Sequence, residues 1–196
     1  MLKNEIITFI GPEGSGKTTL SKKLEGVIDL PCITTGDILR DLAMNDPGQL
    51  GEECRAMFAT SIYLPGEKFL EVLASRLIKP DLAHGLILDG GLRTLEETKG
   101  FHEMLQRVKR VMPMTIFHLV MPDSMSFERL VTGEKARKRD FDTLEGVAGR
   151  LAEFHNQLEE RLETIRRQEG WRLIEIDATL TLEKVFENVL AEFGLG

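Results

Sequence analysis

The feature that most constrains this chain is a glycine-rich loop, GPEGSGKT, which directly follows a short apolar run at residues 5–10. The loop matches the pattern G-x-x-x-x-G-K-[ST], and the residues after it have the apolar spacing of a helix. Its glycines let backbone N–H groups converge on one centre, and the following helix adds unpaired N–H groups and the positive end of its dipole. A strand, this loop and a helix together predict a site for the phosphates of a nucleoside triphosphate.

Two residues at the end of the loop indicate what the site holds. Lys17 can reach the β- and γ-phosphates, and the hydroxyl of Thr18 can bind Mg²⁺. GTPases, motor ATPases and small-molecule kinases all share this loop. The sequence has no N-K-x-D segment of the kind that reads guanine in GTPases, and it lacks the size of most mechanical ATPases. A kinase is therefore favoured.

Apolar runs alternate with longer amphipathic segments along the rest of the chain. Five runs predict strands, at residues 5–10, 30–34, 85–88, 114–120 and 173–176. Continuous apolar strands separated by helices predict an α/β fold with a central parallel five-stranded sheet that is covered on both faces. Between residues 144 and 165, apolar residues recur at steps of three and four, which predicts one long helix.

Two stretches interrupt the alternation of strands and helices. Residues 36–79 predict several helices without a strand, and residues 132–142 are polar and marked by a glycine. Both stretches are interpreted as insertions on a core formed by residues 1–35, 80–131 and 143–196. No linker or repeat divides the 196 residues, so a single domain is expected.

Composition narrows the class of protein. The formal net charge of −7 argues against a protein that binds nucleic acid or an anionic membrane through a basic surface. No apolar run is as long as a membrane span, and the first residues do not resemble a signal peptide. The only two cysteines, Cys32 and Cys54, predict reduced thiols and a cytoplasmic location.

Three further motifs follow the phosphate loop in a specific order. They are T-G-D-x-L-R at residues 35–40, L-D-G-x-x-R-T at residues 88–94, and R-x-x-D at residues 139–142 before the long helical segment. In this order, and over essentially the whole chain, they resemble the adenylate kinase family of nucleoside monophosphate kinases. The resemblance implies a P-loop NTPase fold in which residues 36–79 form the helical insertion that binds the monophosphate and residues 132–142 form a short LID.

The resemblance also implies roles for individual residues. The residues that act on the transferring phosphoryl group would be Lys17, Arg93, Arg139 and Arg150. ATP would be bound by Gly14, Ser15, Gly16, Lys17, Thr18, Thr19, Arg129 and Leu180. The acceptor monophosphate would be bound by Thr35, Arg40, Ile62, Tyr63, Leu64, Gly90, Arg93 and Glu97. Mg²⁺ would be held by Thr18, and by Asp89 through water.

The sequence departs from the family pattern at several of these positions. Glu97 stands where the family has a glutamine that reads the acceptor base. A carboxylate only accepts hydrogen bonds, so it suits the N6 amino group of adenine and also the N1–H and N2 amino donors of guanine. Gly91-Leu92 replaces the family's Phe-Pro, which loosens the backbone beside that base.

The LID segment differs from the family pattern as well. Thr132-Gly133 lies where the family has an arginine, for which Arg137 could substitute, and Phe141 replaces the first of two aspartates. The segment has no cysteine pairs, so no zinc is expected there.

The interpretation that accounts for all these motifs is a monomeric enzyme that uses Mg²⁺ and ATP to phosphorylate AMP. A kinase for UMP and CMP, for GMP or for a deoxynucleotide remains an alternative because of Glu97. A nucleotide-binding regulator with a degenerate catalytic site is the alternative from another class. No nucleic acid or membrane partner is expected.

Overall fold

The computed structural model describes residues 4–60, 64–137, 139 and 142–195, except for the side chain of Thr60. Its strands form one parallel sheet of five strands, in the order β2-β3-β1-β4-β5. The strands are β1 (Glu5–Ile10), β2 (Cys32–Thr34), β3 (Gly85–Asp89), β4 (Met114–Val120) and β5 (Trp171–Asp177). The predicted α/β fold and parallel five-stranded sheet are confirmed.

Helices surround the sheet in the described part of the chain. They are α1 (Lys17–Glu25), α2 (Thr35–Asn45), α3 (Gln49–Thr60), α4 (Gly66–Leu77), α5 (Leu95–Arg107), α6 (Asp123–Phe127), α7 (Leu144–His155), α8 (Leu158–Arg167) and α9 (Leu182–Ala191). A 3₁₀ turn spans Pro80–Leu82, and a π-helical turn over Glu128–Thr132 extends α6. Within the described ranges, no helix is both long enough and apolar enough to cross a membrane.

The two faces of the sheet carry two separate apolar cores. Ile6 and Ile10 of β1 face a core shared with α4, α5 and α8. Ile7 and Phe9 point to the other face, where α1 and α9 cover them. This alternation follows from the two-residue period of a strand, and it explains why β1 reads as a continuous apolar run.

A third, smaller cluster joins the helices of the stretch without strands. The cluster buries Leu39 of α2, Cys54 of α3, Leu64 just before α4, and Val72 of α4. The predicted helices are present here, and the described residues between 36 and 79 include no strand. These helices therefore have an apolar core of their own beside the sheet.

The prediction of one long helix between residues 144 and 165 was wrong. The segment forms α7 and α8, because Gln157 adopts the left-handed conformation (φ 58°, ψ 18°) and ends the regular helical backbone. The apolar spacing passes through the break, although α7 buries Val147 and Leu151 in a cluster with Leu130 and α8 buries Leu162 and Ile165 in a core beside the sheet. The sequence pattern therefore gave no signal of it.

Bounds differ from the prediction at three strands. β2 begins at Cys32 instead of residue 30, because Pro31 has no N–H to donate and contributes only its carbonyl to Ile87. β3 extends by one residue to Asp89, and β5 extends to residues 171–177. The extension of β3 carries Asp89 to the carboxyl edge of the sheet, next to the loop that follows β1.

Candidate active site

The phosphate loop closes around its own lysine. Gly14 and Gly16 have φ of 84° and 96°, which favours glycine at both positions. The Nζ of Lys17 donates to the carbonyl oxygens of Gly11 and Pro12, each at 2.8 Å. Burial, and then the positive charge of Arg93, lower the pKa of Lys17 to about 8. The loop thus presents a cation whose proton is held less tightly than that of an ordinary lysine.

Thr18 and Asp89 bring two oxygens together at the carboxyl ends of β1 and β3. The hydroxyl of Thr18 donates to Oδ1 of Asp89 at 3.1 Å, and Asp89 is only 6% exposed. Hydroxyl and carboxylate oxygens are ligands that Mg²⁺ accepts, and this ion usually completes its shell with water and substrate phosphates. The pair fits a magnesium ion that arrives with a nucleotide.

The backbone of Asp89 connects this pair to a second anion-binding group. The hydroxyl of Thr35 lies 3.4 Å from the carbonyl oxygen of Asp89, and Nη2 of Arg93 donates to the same hydroxyl oxygen at 3.4 Å. Gly90 lies against both side chains, because a Cβ built there would be 2.5 Å from Nη2 of Arg93 and from Oγ1 of Thr35. Asp89 therefore faces one group with its carboxylate and the other with its carbonyl.

Glu97 supports the loop that carries Arg93. Its Oε2 accepts the backbone N–H of Arg93 at 2.8 Å, while the hydroxyl of Thr94 accepts the N–H of Glu97 at 3.1 Å. Thr94 thus caps the start of α5, and Glu97 fixes the backbone of the residue before this cap. Glu97 is 3% exposed, and burial raises the pKa of its carboxyl group against the opposing effects of the Arg93 N–H and of the Arg93 and Arg161 charges.

Arg129, in the π-helical turn, ties the phosphate loop to the segment after β5. Its Nη1 donates to the carbonyl oxygen of Gly14 at 3.2 Å, and its Nη2 donates to that of Ala178 at 2.9 Å. Single π-helical turns occur frequently at functional sites. The guanidinium group of Arg129 thus bridges the two segments, and it bonds Ala178, two residues before the predicted Leu180.

Two arginines connect the polar segment after residue 132 to the phosphate loop. Arg137 donates to both carboxylate oxygens of Asp142, at 2.8 and 2.7 Å, and to Oε1 of Glu13 at 2.8 Å. Arg150 donates to Oε2 of Glu13 and, at 2.9 Å, to Oδ1 of Asp142. The side chain of Asp142 is fully buried, and its hydrogen bond with Arg137 is the main cause of its lowered pKa. The four side chains are called the LID cluster below.

Comparisons with known proteins decide the family. The adenylate kinase family model matches residues 9–169. The adenylate kinase of Mycolicibacterium paratuberculosis is 32% identical over 188 residues, which cover 96% of this chain and 98% of that protein. Adenylate kinases of Mycobacterium bovis and Mycobacterium tuberculosis are 31% identical with the same coverage.

The chain belongs to the adenylate kinase family.

The residues that the family resemblance singled out fall into three places in this adenylate kinase family member. Around the carboxyl ends of β1 and β3, the structure brings together Lys17, Thr18, Thr35, Asp89, Gly90, Arg93 and Glu97. Arg129 lies on the other side of the phosphate loop, and Arg150 belongs to the LID cluster. Gly14, Ser15, Gly16 and Thr19 occupy the loop and the first turn of α1, where Ser15 is buried and Thr19 is exposed.

Other predicted residues do not join these groups. Arg40 pairs with Asp37 on the exposed side of α2, and Leu64 is buried in the small cluster of α2, α3 and α4. Leu180 is 39% exposed. Arg139 contacts Asp142 through its backbone: its N–H donates to Oδ2 of Asp142 at 3.0 Å, and its carbonyl oxygen accepts the N–H of Asp142 at 2.8 Å. Ile62 and Tyr63 lie outside the described residues.

Sequence reasoning assigned no role to two residues that the structure makes prominent. Glu13 occupies a variable position of the phosphate loop pattern, so the pattern carries no information about it. Arg161 belongs to none of the family motifs, yet it is almost completely buried. The one available signal was the family departure at Glu97, because a carboxylate at a buried position calls for a positive charge nearby.

Proposed function

We propose that this protein transfers the γ-phosphoryl group of ATP to AMP in the presence of Mg²⁺, forming two molecules of ADP. The observation that carries the proposal is the continuous contact from Thr18 through Asp89 and Thr35 to Arg93. It joins the end of the phosphate loop, where the triphosphate would lie, to an arginine suited to a second phosphate. Two phosphate sites that share Asp89 are close enough for direct transfer.

The chemistry needs positioning and charge neutralisation more than it needs a base. An oxygen of the AMP phosphate is already anionic, so it attacks the γ-phosphorus as the bond to the β–γ bridging oxygen breaks and ADP leaves with those electrons. Lys17, Arg93, Arg139 and Arg150 would neutralise the charge on the transferring group. Thr18 and Asp89 would hold Mg²⁺, which would supply further positive charge.

Binding roles follow the same arrangement. The phosphate loop from Gly14 to Thr19 would hold the ATP phosphates, while Arg129 and the segment at Leu180 would lie against its adenine. Thr35, Arg40 and Gly90 would line the phosphate site of AMP, and residues 62–64 together with Glu97 would contact its base. We propose that residues 36–79 and 132–142 are the two parts that close on the substrates, over a core formed by the remaining residues.

A product assay tests the proposal directly. The protein is incubated with ATP and Mg²⁺ and, separately, with AMP, GMP, UMP, CMP and dAMP, and nucleoside diphosphates are separated by chromatography. ADP formation is expected with AMP. Arg93→Met should lower kcat/KM by a factor on the order of 10³, because it removes an arginine at the transferring group.

Arg107→Met provides the matched control, since this exposed arginine ends the same helix α5. It should leave turnover unchanged. Faster turnover with another monophosphate would reassign the acceptor. Tight ATP binding without turnover of any acceptor would contradict the proposal and favour a nucleotide-binding regulator.

A further inference from the structure

Helix α4 begins without a cap from its own sequence. The residue before its first turn is Pro65, whose side chain has no oxygen to accept the N–H groups that the start of a helix leaves unpaired. The carboxylate of Glu96, in the first turn of α5, supplies this cap instead. Its Oε2 accepts the N–H of Gly66 at 2.9 Å, and its Oε1 accepts that of Glu67 at 3.4 Å. The start of α4 is thus bonded to the start of α5.

Gly66 suits this contact because it has no side chain. A Cβ built there would lie 2.8 Å from Oε2 of Glu96 and 2.9 Å from its carboxyl carbon. Gly66 is also buried, so its N–H would have no ready partner if the carboxylate were removed. Glycine at position 66 and glutamate at position 96 therefore depend on each other.

The other end of α4 is held by a charged side chain as well. Nε of Arg110, which follows α5, donates to the carbonyl oxygen of Leu77 at 3.2 Å. Its Nη2 donates to the carbonyl oxygens of Ile78 and Lys79, each at 3.4 Å. A carboxylate at the amino end of a helix and a guanidinium at its carboxyl end both complement the helix dipole. Helix α4 is therefore clamped along α5 at both ends.

Only the Glu96 end of this clamp lies beside the proposed acceptor site. Three helices, α2, α4 and α5, begin there. The contact between Thr35 and Arg93 joins the start of α2 to that of α5, and Glu96 joins the start of α4 to it. Arg110 acts at the other end of α5, which is about 20 Å away because this helix has 13 residues.

Helix α4 also connects the sheet with the helices that precede it. On one side, Leu70 of α4 belongs to the core beside the sheet, together with Phe101 of α5. On another side, Val72 belongs to the small cluster that contains Leu39 of α2. The position of α4 along α5 therefore affects where α2 lies relative to Arg93.

We infer that Glu96 is a positioning residue for the acceptor monophosphate: by bonding the start of α4 to the start of α5, its carboxylate holds α2 and Arg93 at the spacing that AMP requires. The inference rests on the proposed function, because it places the AMP phosphate between these helix starts. Molecules in which the bond is broken would bind AMP poorly, so the apparent Kd for AMP rises as their share grows. The phosphate loop before α1, where ATP is proposed to bind, has no part in this bond.

The test compares two truncations that each release one end of α4. Glu96→Ala should raise the KM for AMP by about tenfold or more, which corresponds to the loss of a hydrogen bond to a charged group, and leave the KM for ATP unchanged. Arg110→Ala is the matched control. It should lower the melting temperature, because it releases the far end of α4, but leave the KM for AMP unchanged. Steady-state kinetics with each substrate varied in turn, and thermal unfolding followed by circular dichroism, measure these effects.

Glu96→Gln should give an intermediate result. Its amide oxygen can still accept the N–H of Gly66, whereas its NH₂ group cannot accept a second N–H. The KM for AMP should therefore lie between those of the wild-type protein and of Glu96→Ala. This variant also carries the test if Glu96→Ala does not fold.

Amide hydrogen exchange, followed by NMR, is a readout that does not depend on activity. In Glu96→Ala the N–H groups of Gly66 and Glu67 should lose protection, whereas the N–H of Arg93 should keep it, because Glu97 accepts that group. In Arg110→Ala all three should remain protected. The exchange data thus show whether each variant releases the intended end of α4.

Two results would have different consequences. A wild-type KM for AMP in Glu96→Ala, or an equal rise in Arg110→Ala, would overturn the role of Glu96 and leave the proposed function in place. Absence of AMP turnover by the wild-type protein would overturn the proposed function, and the inference with it.

Discussion

Glu13 places a carboxylate inside the loop that would hold the ATP phosphates. Its carboxylate forms ion pairs with Arg137 and Arg150, and the carboxylate of Asp142 pairs with the same two arginines. Arginine remains charged in proteins and forms planar pairs with carboxylates and phosphates alike. The γ-phosphate of ATP would therefore compete with Glu13 for guanidinium groups that already have partners.

Glu13→Gln should tighten the binding of Mg·ATP. The substitution removes the competing charge but keeps the size of the side chain, and a partly exposed ion pair of this kind corresponds to about a threefold to tenfold decrease in Kd. Isothermal titration calorimetry at pH 7 measures it. Glu134→Gln is the control, because this LID carboxylate is exposed. Weaker binding by Glu13→Gln would mean that Glu13 orders the loop for the nucleotide.

The lowered pKa of Lys17 predicts that ATP binding takes up a proton in mildly alkaline solution. Bound phosphates favour the charged lysine, so its pKa, about 8 in the free protein, should rise on binding. At pH 8.5 the uptake should approach about 0.8 proton, and at pH 7 it should fall to about 0.1. Calorimetry in buffers of different ionisation enthalpy measures the number of protons taken up. Equal uptake at the two pH values would show that Lys17 is not the group that takes up the proton.

The same group affects stability with a defined sign. The unfolded chain, with a lysine pKa of 10.5, binds more protons than the folded protein between about pH 8 and 10.5. The contribution of Lys17 to the free energy of unfolding therefore rises with pH across this window. Below about pH 8, the folded protein carries the full cost of keeping the half-buried ammonium group charged.

At the scale of elements, the loop after β3 positions the residues that are proposed to bind the acceptor phosphate. Gly90 has φ of 95°, and it leaves room for Thr35 and Arg93 to approach each other. The strand, the loop and the capped start of α5 fix the direction of Arg93. The position of the arginine that would bind the acceptor phosphate thus depends on having glycine at position 90.

Gly90→Ala should raise the KM for AMP by about tenfold or more and change the KM for ATP much less. The added Cβ would lie 2.5 Å from the Arg93 and Thr35 side chains, and the backbone conformation disfavours alanine as well. Steady-state kinetics with each substrate varied in turn measures the effect. Gly149→Ala, where a Cβ meets nothing within 4 Å, is the control on α7. An equal rise in both KM values would point to a general disturbance of the fold.

The comparison of sequence with structure is clearest for these same elements. Apolar runs predicted all five strands, because a strand covered on both faces needs an uninterrupted apolar stretch. The break between α7 and α8 was not predictable, since spacing reports which side faces the interior and not whether the backbone continues. This break is also why Arg150 and Arg161, alike on one projected helix, occupy the LID cluster and the interior.

The candidate site was predictable where its residues belong to a sequence motif, because a motif brings residues that are close in sequence to one place in the fold. The phosphate loop and the strand ends carry most of the predicted residues, and the structure places those together. Glu13 has its role through contact with residues more than 120 positions away, which no local pattern contains. Contacts of that kind depend on how the LID lies against the loop.

For the whole molecule, the separate apolar cores imply separate stabilities. The cluster of α2, α3 and α4 contains Leu39, Cys54, Leu64 and Val72, whereas each face of the sheet holds a much larger core. Regions with less buried apolar surface open locally at lower free energy than the rest of a protein. The insertion should therefore open without unfolding of the sheet.

Cys54 can report this opening in a Cys32→Ser variant. Its side chain is fully buried, and burial raises the pKa of its thiol, so a thiol reagent should reach it only in the open form. Saturating AMP should slow labelling by about tenfold or more, and ATP alone should slow it less, because AMP is proposed to bind this insertion. The rate of 5,5′-dithiobis(2-nitrobenzoate) labelling measures it, with global unfolding followed by circular dichroism as the control. Equal protection by the two nucleotides would show that the insertion and the sheet open together.

The LID cluster has a consequence for how salt affects this acidic protein. Its two arginines and two carboxylates sum to zero charge, so a phosphate that enters must displace a carboxylate. The binding of a charged ligand usually weakens with salt, because salt screens each new ion pair. Here one ion pair replaces another, so the number of ion pairs that salt screens changes little. The LID cluster would therefore exchange one anion for another, and its affinity for phosphate should remain nearly constant as ionic strength varies.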